Sequence, residues 1–260
     1  MAKLSVVRSP RSRWASVSPA TGPTVFVAGI VALVSLAGCA ADQTGTAANG
    51  AEVPPPAVDV TGDPAAISGA TSGTADHAST IDTVVMIGDS ITKGATPALD
   101  ERYGLLGLDH LIQAENGKRM AVSAPDNASG VSIAQFLIDN GDGDYTDEVW
   151  VVALGTNDVG QYASPDEIAA AVNEVLDSVP DEAALVWVDV YFRDRPEAAA
   201  ELNAIVADRV ARRGDSVIAP WTSFAPSEDV LTGDGVHPTP DGADVFAFVV
   251  TDTVRAFLGR

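Results

Sequence analysis

Short apolar runs alternate with longer amphipathic stretches from residue 81 to residue 260. Continuous apolar runs of this length predict strands that are covered on both faces. They lie at 83–87, 119–123, 149–154, 184–191 and 216–219. Stretches with apolar residues at helical spacing lie between and after them, at 96–115, 131–138, 164–178, 196–213 and 240–258. The alternation predicts an α/β fold with three layers, in which helices cover both faces of a five-stranded, parallel, doubly wound sheet.

Three polar clusters lie next to the ends of these predicted elements. Gly88-Asp89-Ser90 follows the first strand, Gly155-Thr156-Asn157-Asp158 follows the third strand, and Asp234-Gly235-Val236-His237-Pro238 precedes the last helix. Because the carboxyl ends of parallel strands share one edge of a sheet, we expect the three clusters to converge on one crevice.

The converging side chains are those that acyl transfer requires. Ser90 is a candidate nucleophile, His237 a candidate base that takes its proton, and Asp234 a partner that orients the imidazole. The oxyanion of a tetrahedral intermediate needs hydrogen-bond donors, for which the candidates are the Ser90 N–H, the Gly130 N–H and the Asn157 amide. This chemistry requires no metal and no cofactor.

Other polar residues receive structural interpretations. We interpret Asp89 and Asp158 as hydrogen-bond acceptors that brace their loops, and His110 as a residue on a helix surface. The acidic segment 139–144 looks like a calcium loop but lacks the glycine and the glutamate that an EF-hand starting at Asn140 would need. A solvated acidic turn is the better interpretation.

The clusters resemble the four sequence blocks of the SGNH (GDSL-type) hydrolases, and they occur in the order of that family across 81–260. The second block is Asn127-Ala128-Ser129-Gly130, in which Gly130 is assigned by position. The resemblance implies a flavodoxin-like sheet, a Ser90–His237–Asp234 triad, and an oxyanion hole formed by Ser90, Gly130 and Asn157.

The alternatives to an ester hydrolase use the same scaffold. Each block by itself could be an ordinary turn or loop, whereas their joint occurrence favours an enzyme. An O-acyltransferase would use the same acyl-enzyme, and a non-catalytic envelope-binding lipoprotein would keep only the fold. With Trp221 after the fifth strand and Asn203 on the preceding helix, the layout is similar to SGNH domains of bacterial envelope O-acyltransferases. This similarity suggests acyl esters on extracellular glycans or glycolipids as substrates.

Residues 1–39 have the features of a bacterial lipoprotein signal peptide. Four basic residues and no acidic residue precede an apolar run, Val25–Leu36, that is too short for a confident membrane-spanning helix. The run ends in Leu36-Ala37-Gly38-Cys39, which looks like a lipobox whose Cys39 becomes lipidated. Cys39 is the only cysteine of the chain, so it has no disulfide partner within it. An ordinary signal peptide remains the alternative.

Residues 40–80 are rich in Ala, Gly, Thr, Ser and Pro and contain no aromatic residue, which predicts a disordered tether. The chain carries 15 basic and 36 acidic residues, a net charge of −21. Such an acidic protein repels nucleic acid and anionic headgroups. We therefore expect it to reach the outer face of the bacterial cell membrane through a lipid anchor, and to bind a small-molecule or glycan ester.

Overall fold

A computed structural model of the protein describes residues 80–141 and 143–260. The predicted signal peptide, the lipobox at Cys39 and all of the tether but its last residue lie outside the described residues. None of the helices in the described part is both long enough and apolar enough to cross a membrane.

Five parallel strands form one sheet in the order β2-β1-β3-β4-β5. Their bounds are β1 Thr83–Gly88, β2 Asp109–Ala114, β3 Glu148–Ala153, β4 Ala184–Val188 and β5 Ser216–Ala219. Five helices connect or follow them: α1 Ser90–Leu105, α2 Gly130–Asn140, α3 Pro165–Asp177, α4 Pro196–Arg213 and α5 Pro240–Phe257. The strand order reverses at β1 and β3, which places a topological switch point between their carboxyl ends.

Alternating side chains of the buried strands build a separate core on each face of the sheet. Val84 and Met86 of β1 face the core that includes α1 and α5, whereas Val85 and Ile87 face the core that includes α2, α3 and α4. Every residue of β1 and β3 is buried, as expected for central strands of a parallel sheet. The structure confirms the predicted three-layer α/β/α fold with five parallel strands.

The prediction of the second strand was wrong. The strand spans Asp109–Ala114, inside the predicted helix 96–115, and residues 119–123 form a loop. β2 is an edge strand whose residues are only partly buried, so polar and apolar positions mix in a pattern that resembles a helix. Helix α1 ends before Gly107, whose φ of +67° breaks the helical path.

His110 consequently lies on a strand and not on a helix. It pairs with Val84 of β1, and its Nε2 lies 3.1 Å from Asp100 Oδ1. Its Nδ1 is 3.3 Å from the Leu108 carbonyl oxygen, and its ring lies 5.4 Å from that of Tyr103. These contacts give His110 a structural role far from the carboxyl edge of the sheet.

The described residues of the acidic segment at the end of α2 form no recognisable metal site. Helix α2 ends at Asn140, and Gly143 and Asp144 are exposed. Across the described residues, no group of three or more His, Cys, Asp or Glu side chains is arranged to hold a metal ion.

Candidate active site

The tight turn between β1 and α1 positions Ser90. Asp89 is the N-cap of α1 and its Oδ1 accepts the Ile91 N–H at 2.9 Å. A methyl group on Gly88 would lie 2.1 Å from Thr92 Oγ1, so glycine allows the helix to begin immediately after the strand. Ser90 is therefore the first helical residue, at the carboxyl edge of the sheet, and it is partly exposed.

The loop 232–238 holds Asp234 and His237 in a fixed arrangement. Asp234 Oδ1 accepts the backbone N–H groups of Val236 and His237, both at 2.9 Å, and the Thr232 hydroxyl at 2.8 Å. The loop is closed by the Thr232 N–H, which donates to the His237 carbonyl at 2.8 Å. Gly235 adopts a φ of +70°, a conformation that favours glycine.

Ser90, His237 and Asp234 form a continuous chain of contacts. Ser90 Oγ lies 2.9 Å from His237 Nε2, and His237 Nδ1 lies 2.7 Å from Asp234 Oδ2. The side chains of His237 and Asp234 are 48% and 51% exposed, so solvent reaches the site directly. The arrangement can remove a proton from the serine hydroxyl while the carboxylate stabilises the imidazolium.

The pKa of Asp234 is held well below its usual range. The largest cause is the hydrogen bond from the His237 N–H, followed by the contact with the His237 ring and the hydrogen bond from the Val236 N–H. Because all of these favour the ionised form, Asp234 remains a carboxylate beside His237 at neutral pH.

Asn157 lies next to Asp89, the residue that precedes Ser90. Its Nδ2 donates to Asp89 Oδ2 at 3.3 Å and to the Lys118 carbonyl at 3.1 Å. The turn that carries it depends on Gly155, which has a φ of +121° and lies against Val190 and Leu202. Both amide hydrogens are engaged, so an oxyanion would have to replace one of these two acceptors.

The Gly130 N–H is engaged within the protein, so its part in the oxyanion hole stays a prediction without support from this geometry. The Gly130 N–H donates to the Arg119 carbonyl at 2.9 Å. A methyl group at this position would lie 2.2 Å from Leu154 Cδ1, so the glycine permits close packing of α2 against the end of β3. Of the three predicted donors, the Gly130 N–H and the Asn157 amide already have acceptors within the protein, whereas the Ser90 N–H lies in the first turn of α1.

Asp89 and Asp158 brace loops, as interpreted from the sequence. Asp158 accepts hydrogen bonds from Arg119 Nε at 3.0 Å, the Tyr162 hydroxyl at 2.8 Å and the Met120 N–H at 3.0 Å. Asp89 is 1% exposed, and burial raises its pKa to about 6. Asp158 thereby ties the loop 118–123 to the end of β3, while Asp89 ties α1 to Asn157.

The contacts that some residues make near the site cannot be recognised from the sequence. Lys118 positions Asn157 through its backbone carbonyl, which any residue type could provide. Its buried ammonium donates to the Ala128 carbonyl at 2.7 Å, and burial lowers the pKa of this group. Only the three-dimensional structure reveals such contacts.

Trp221 and Asn203 both have structural roles. The Asn203 side chain accepts the Val190 N–H and donates to the Val190 carbonyl, both at 2.8 Å. Trp221 is buried and packs edge-on against Phe246, with 5.2 Å between ring centroids. Asn203 therefore anchors the segment that leaves β4 toward the site.

Comparison with solved structures places the fold among bacterial esterases and acyltransferases. The C-terminal catalytic domain of Streptococcus pneumoniae peptidoglycan O-acetyltransferase A is 19% identical, with a TM-score of 0.50 over 69% of this chain and 96% of that domain. A carbohydrate acetylesterase family member from Sinorhizobium meliloti is 17% identical, with a TM-score of 0.54 over 69% and 100%. The psychrotrophic esterase EstA from Pseudoalteromonas sp. is 12% identical, with a TM-score of 0.51 over 69% and 100%.

At these identities the structural likenesses show the fold alone. No curated protein matches the chain. The family model of the GDSL-like lipases and acylhydrolases matches residues 86–245, which include Ser90, Asn157, Asp234 and His237. The match covers more than half of the chain, and the protein therefore belongs to the GDSL-like lipase/acylhydrolase family of serine ester hydrolases.

Proposed function

We propose that the protein is an extracytoplasmic, lipid-anchored carboxylic ester hydrolase that uses Ser90 as nucleophile, His237 as general base and acid, and Asp234 as the residue that orients His237. The observation that carries this proposal is the unbroken chain from Ser90 Oγ to His237 Nε2 at 2.9 Å and from His237 Nδ1 to Asp234 Oδ2 at 2.7 Å. The chain lies at the carboxyl edge of the sheet, where open α/β folds bind ligands.

The reaction proceeds in two halves. His237 Nε2 takes the Ser90 proton as Oγ attacks the ester carbonyl, and the same proton then passes to the leaving alcohol as the carbon–oxygen bond breaks. In the second half, His237 deprotonates a water molecule that attacks the acyl-serine. The products are a carboxylic acid and free Ser90.

Two donors are suited to the oxyanion. The Ser90 N–H belongs to the first turn of α1, so it has no acceptor within the helix. The Asn157 amide can turn from Asp89 or Lys118 toward the developing negative charge. If the amide leaves the Lys118 carbonyl, the lost neutral acceptor is replaced by a stronger, charge-assisted hydrogen bond.

We further propose O-acyl groups of cell-envelope glycans or glycolipids as the substrates. The half-exposed imidazole and carboxylate suit an acyl ester that projects from a large polymer, because no deep pocket has to admit the alcohol. The names of two structural neighbours refer to peptidoglycan O-acetylation and to a carbohydrate acetylesterase, which agrees with this choice.

An O-acyltransferase is the second candidate, and the same exposure favours it. A sugar hydroxyl could reach the acyl-serine and His237 as readily as water. Hydrolysis and transfer differ only in which hydroxyl attacks, so the products must be identified. A non-catalytic envelope-binding lipoprotein would show neither reaction.

The test uses 4-nitrophenyl esters of increasing acyl length, with and without glycan acceptors. We expect release of nitrophenol by the wild type and labelling of Ser90 by a serine-directed fluorophosphonate probe. An acylated acceptor, detected by mass spectrometry, would identify a transferase. Absence of both turnover and labelling on every ester would overturn the enzymatic proposal.

The lipid anchor is tested separately. We expect Cys39→Ala to release the protein from the membrane fraction or to leave the precursor uncleaved. Unchanged membrane association would contradict the proposed anchor. A chain that starts at Ser79 should keep its melting temperature and its ester hydrolysis, because the proposed tether has too few large apolar residues to form a core.

A further inference from the structure

Arg193 is the basic residue that stands out near the site. It is exposed and belongs to the loop 189–195 between β4 and α4, which we call the β4–α4 loop. The Arg193 N–H donates to the Gly235 carbonyl at 3.1 Å. This hydrogen bond joins the β4–α4 loop to the loop that carries Asp234 and His237.

The Arg193 side chain lies directly over Gly235. A methyl group on Gly235 would be 2.5 Å from Arg193 Cβ, 3.1 Å from Cδ and 3.2 Å from Nε. The aliphatic part of the Arg193 side chain therefore packs against Gly235, which lies between Asp234 and His237 in the sequence. The absence of a side chain on Gly235 and the backbone hydrogen bond together restrict the positions that the Arg193 guanidinium can occupy.

The Arg193 guanidinium has no protein partner within the described residues, whereas every other basic side chain there has one. The others contact a carboxylate, a backbone carbonyl or an aromatic ring; they are Lys93, Arg102, Lys118, Arg119, Arg195, Arg209, Arg212, Arg213, Arg255 and Arg260. Residues 80–260 contain 31 acidic and 11 basic residues. An unpaired arginine is therefore unexpected in this domain, even though Asp194 is its neighbour in sequence.

We propose that Arg193 is a specificity-determining residue that binds a carboxylate on the alcohol portion of the ester. This inference rests on the proposed function, because the alcohol oxygen must approach His237 Nε2 to receive its proton. Substituents on the alcohol then extend over the loop 232–238, against which the Arg193 side chain packs. A guanidinium fork pairs well with a carboxylate at such a position.

The chemical class of substrate follows from this placement. The enzyme selects acyl esters whose alcohol carries a carboxylate, such as an O-acylated acidic sugar. The negative charge of the domain disfavours anions in general, and Arg193 provides a local exception beside the scissile bond.

The experiment compares 3-acetoxybenzoate with its neutral counterpart 3-acetoxybenzamide and follows release of the phenol. In the wild type we expect a higher kcat/KM for the carboxylate. Arg193→Gln should lower the ratio of the two kcat/KM values by about three- to tenfold, mainly through KM, as for a partly exposed charge-assisted hydrogen bond. Arg193→Lys should give an intermediate ratio, because it keeps the charge and loses the fork.

Arg212→Gln is the matched control. Arg212 is an exposed residue near the end of α4 that pairs with Asp208 at 2.7 Å, so its substitution removes the same charge away from the site and should leave the ratio unchanged. A second pair, 4-nitrophenyl hydrogen succinate and 4-nitrophenyl butyrate, places the carboxylate on the acyl side. Arg193→Gln should leave that ratio unaltered.

The outcomes separate this inference from the proposed function. If the wild type hydrolyses both acetoxy esters and Arg193→Gln leaves their ratio unchanged, the carboxylate site is overturned and the hydrolase is retained. A change in the succinate ratio alone would place the anion on the acyl side and overturn the assignment to the alcohol. If no ester is hydrolysed and fluorophosphonate fails to label Ser90, both proposals fall.

Discussion

Asp89 and Asp234 lie beside the same serine–histidine pair, yet their carboxyl groups have opposite pKa shifts. Burial raises the pKa of Asp89 to about 6, whereas hydrogen bonds led by the His237 N–H lower the pKa of Asp234. Both accept several hydrogen bonds: Asp89 from the Ile91 N–H and the Asn157 amide, Asp234 from two backbone N–H groups and a hydroxyl. The larger set of donors accounts for the lowered pKa of Asp234.

Burial accounts for the raised pKa of Asp89. Asp89 is 1% exposed, while the Asp234 side chain is 51% exposed and touches the imidazole of His237. Desolvation penalises the carboxylate of Asp89 more than its donors stabilise it, and Asp234 avoids that penalty. The two loops therefore carry different carboxyl groups: Asp234 is a lasting negative charge beside His237, and Asp89 is a buried hydrogen-bond acceptor with a pKa of about 6.

The largest effect on activity is expected at Ser90, where the turn between β1 and α1 meets the loop 232–238. Ser90→Ala removes the nucleophile, and we expect kcat/KM for 4-nitrophenyl esters to fall by about 10⁴-fold or more. The melting temperature should change little, because a partly exposed hydroxyl contributes little to folding. Ser227→Ala, an exposed serine elsewhere, is the control. Residual turnover well above background would show that Ser90 is not the nucleophile.

Asp234→Asn tests whether the negative charge of Asp234 is needed beside His237. The amide can still accept a backbone N–H, but its NH₂ group faces His237 Nδ1 and favours the wrong tautomer. We expect kcat to fall by about 10⁴-fold, the loss typical of this substitution in Ser-His-Asp enzymes. Asp229→Asn, an exposed residue with a φ of +63° that asparagine tolerates, should keep full activity. A fall of less than tenfold in Asp234→Asn would assign the orienting role to another group.

Some element ends were predicted well from the sequence. Helix α4 matches its predicted bounds, and Ser164 caps α3 ahead of Pro165. Because topology alone brings the carboxyl ends of β1 and β3 together, Ser90 and Asn157 could be placed at one edge from local patterns. The structure places Asp234 and His237 beside Ser90, while the catalytic roles of all four residues stay predictions.

Tertiary contacts explain the errors. The run at 119–123 is apolar only from Met120 to Val122, and the Met120 N–H donates to the Asp158 carboxylate instead of to a neighbouring strand. The true second strand lies at the sheet edge, where His110 and Gln113 are only partly buried, so its composition is not that of a buried strand. Gly130 was assigned to the oxyanion hole by the position of its sequence block. Its N–H is bound by the Arg119 carbonyl, which no local pattern indicates.

Asn157→Ala tests the Asn157 amide as an oxyanion donor. In the structure this amide donates to Asp89. Removal of one oxyanion donor should lower kcat by about 10²–10³-fold while KM changes much less. Asn140→Ala, at the end of α2, is the matched control and should retain wild-type kinetics. A loss below about tenfold would mean that the Asn157 amide stays with Asp89 and Lys118 during the reaction, and that other groups stabilise the oxyanion.

Asp89→Asn tests the hydrogen bonds by which Asp89 holds Ile91 and Asn157, and it should have the smallest effect on activity. Asparagine can still cap α1 through its oxygen, but its NH₂ group no longer accepts the Asn157 amide, so we expect kcat/KM to fall by about two- to tenfold. The stability effect depends on pH with a definite sign. Because the folded pKa of Asp89 is raised to about 6 from 3.8, the folded state binds the extra proton between these values, and the wild type loses stability as pH rises through that window.

The melting temperature of Asp89→Asn relative to wild type should therefore increase from pH 4 to pH 6 and then level off. Asp234→Asn should show the opposite dependence, since a lowered pKa stabilises the fold above about pH 3.8 and that contribution is lost as pH falls. Thermal melts of the three proteins between about pH 2 and pH 7, with the exposed Asp126→Asn as control, measure both slopes. A difference between Asp89→Asn and wild type that is constant with pH would show that burial does not control the ionisation of Asp89, and the contrast between the two aspartates would be lost.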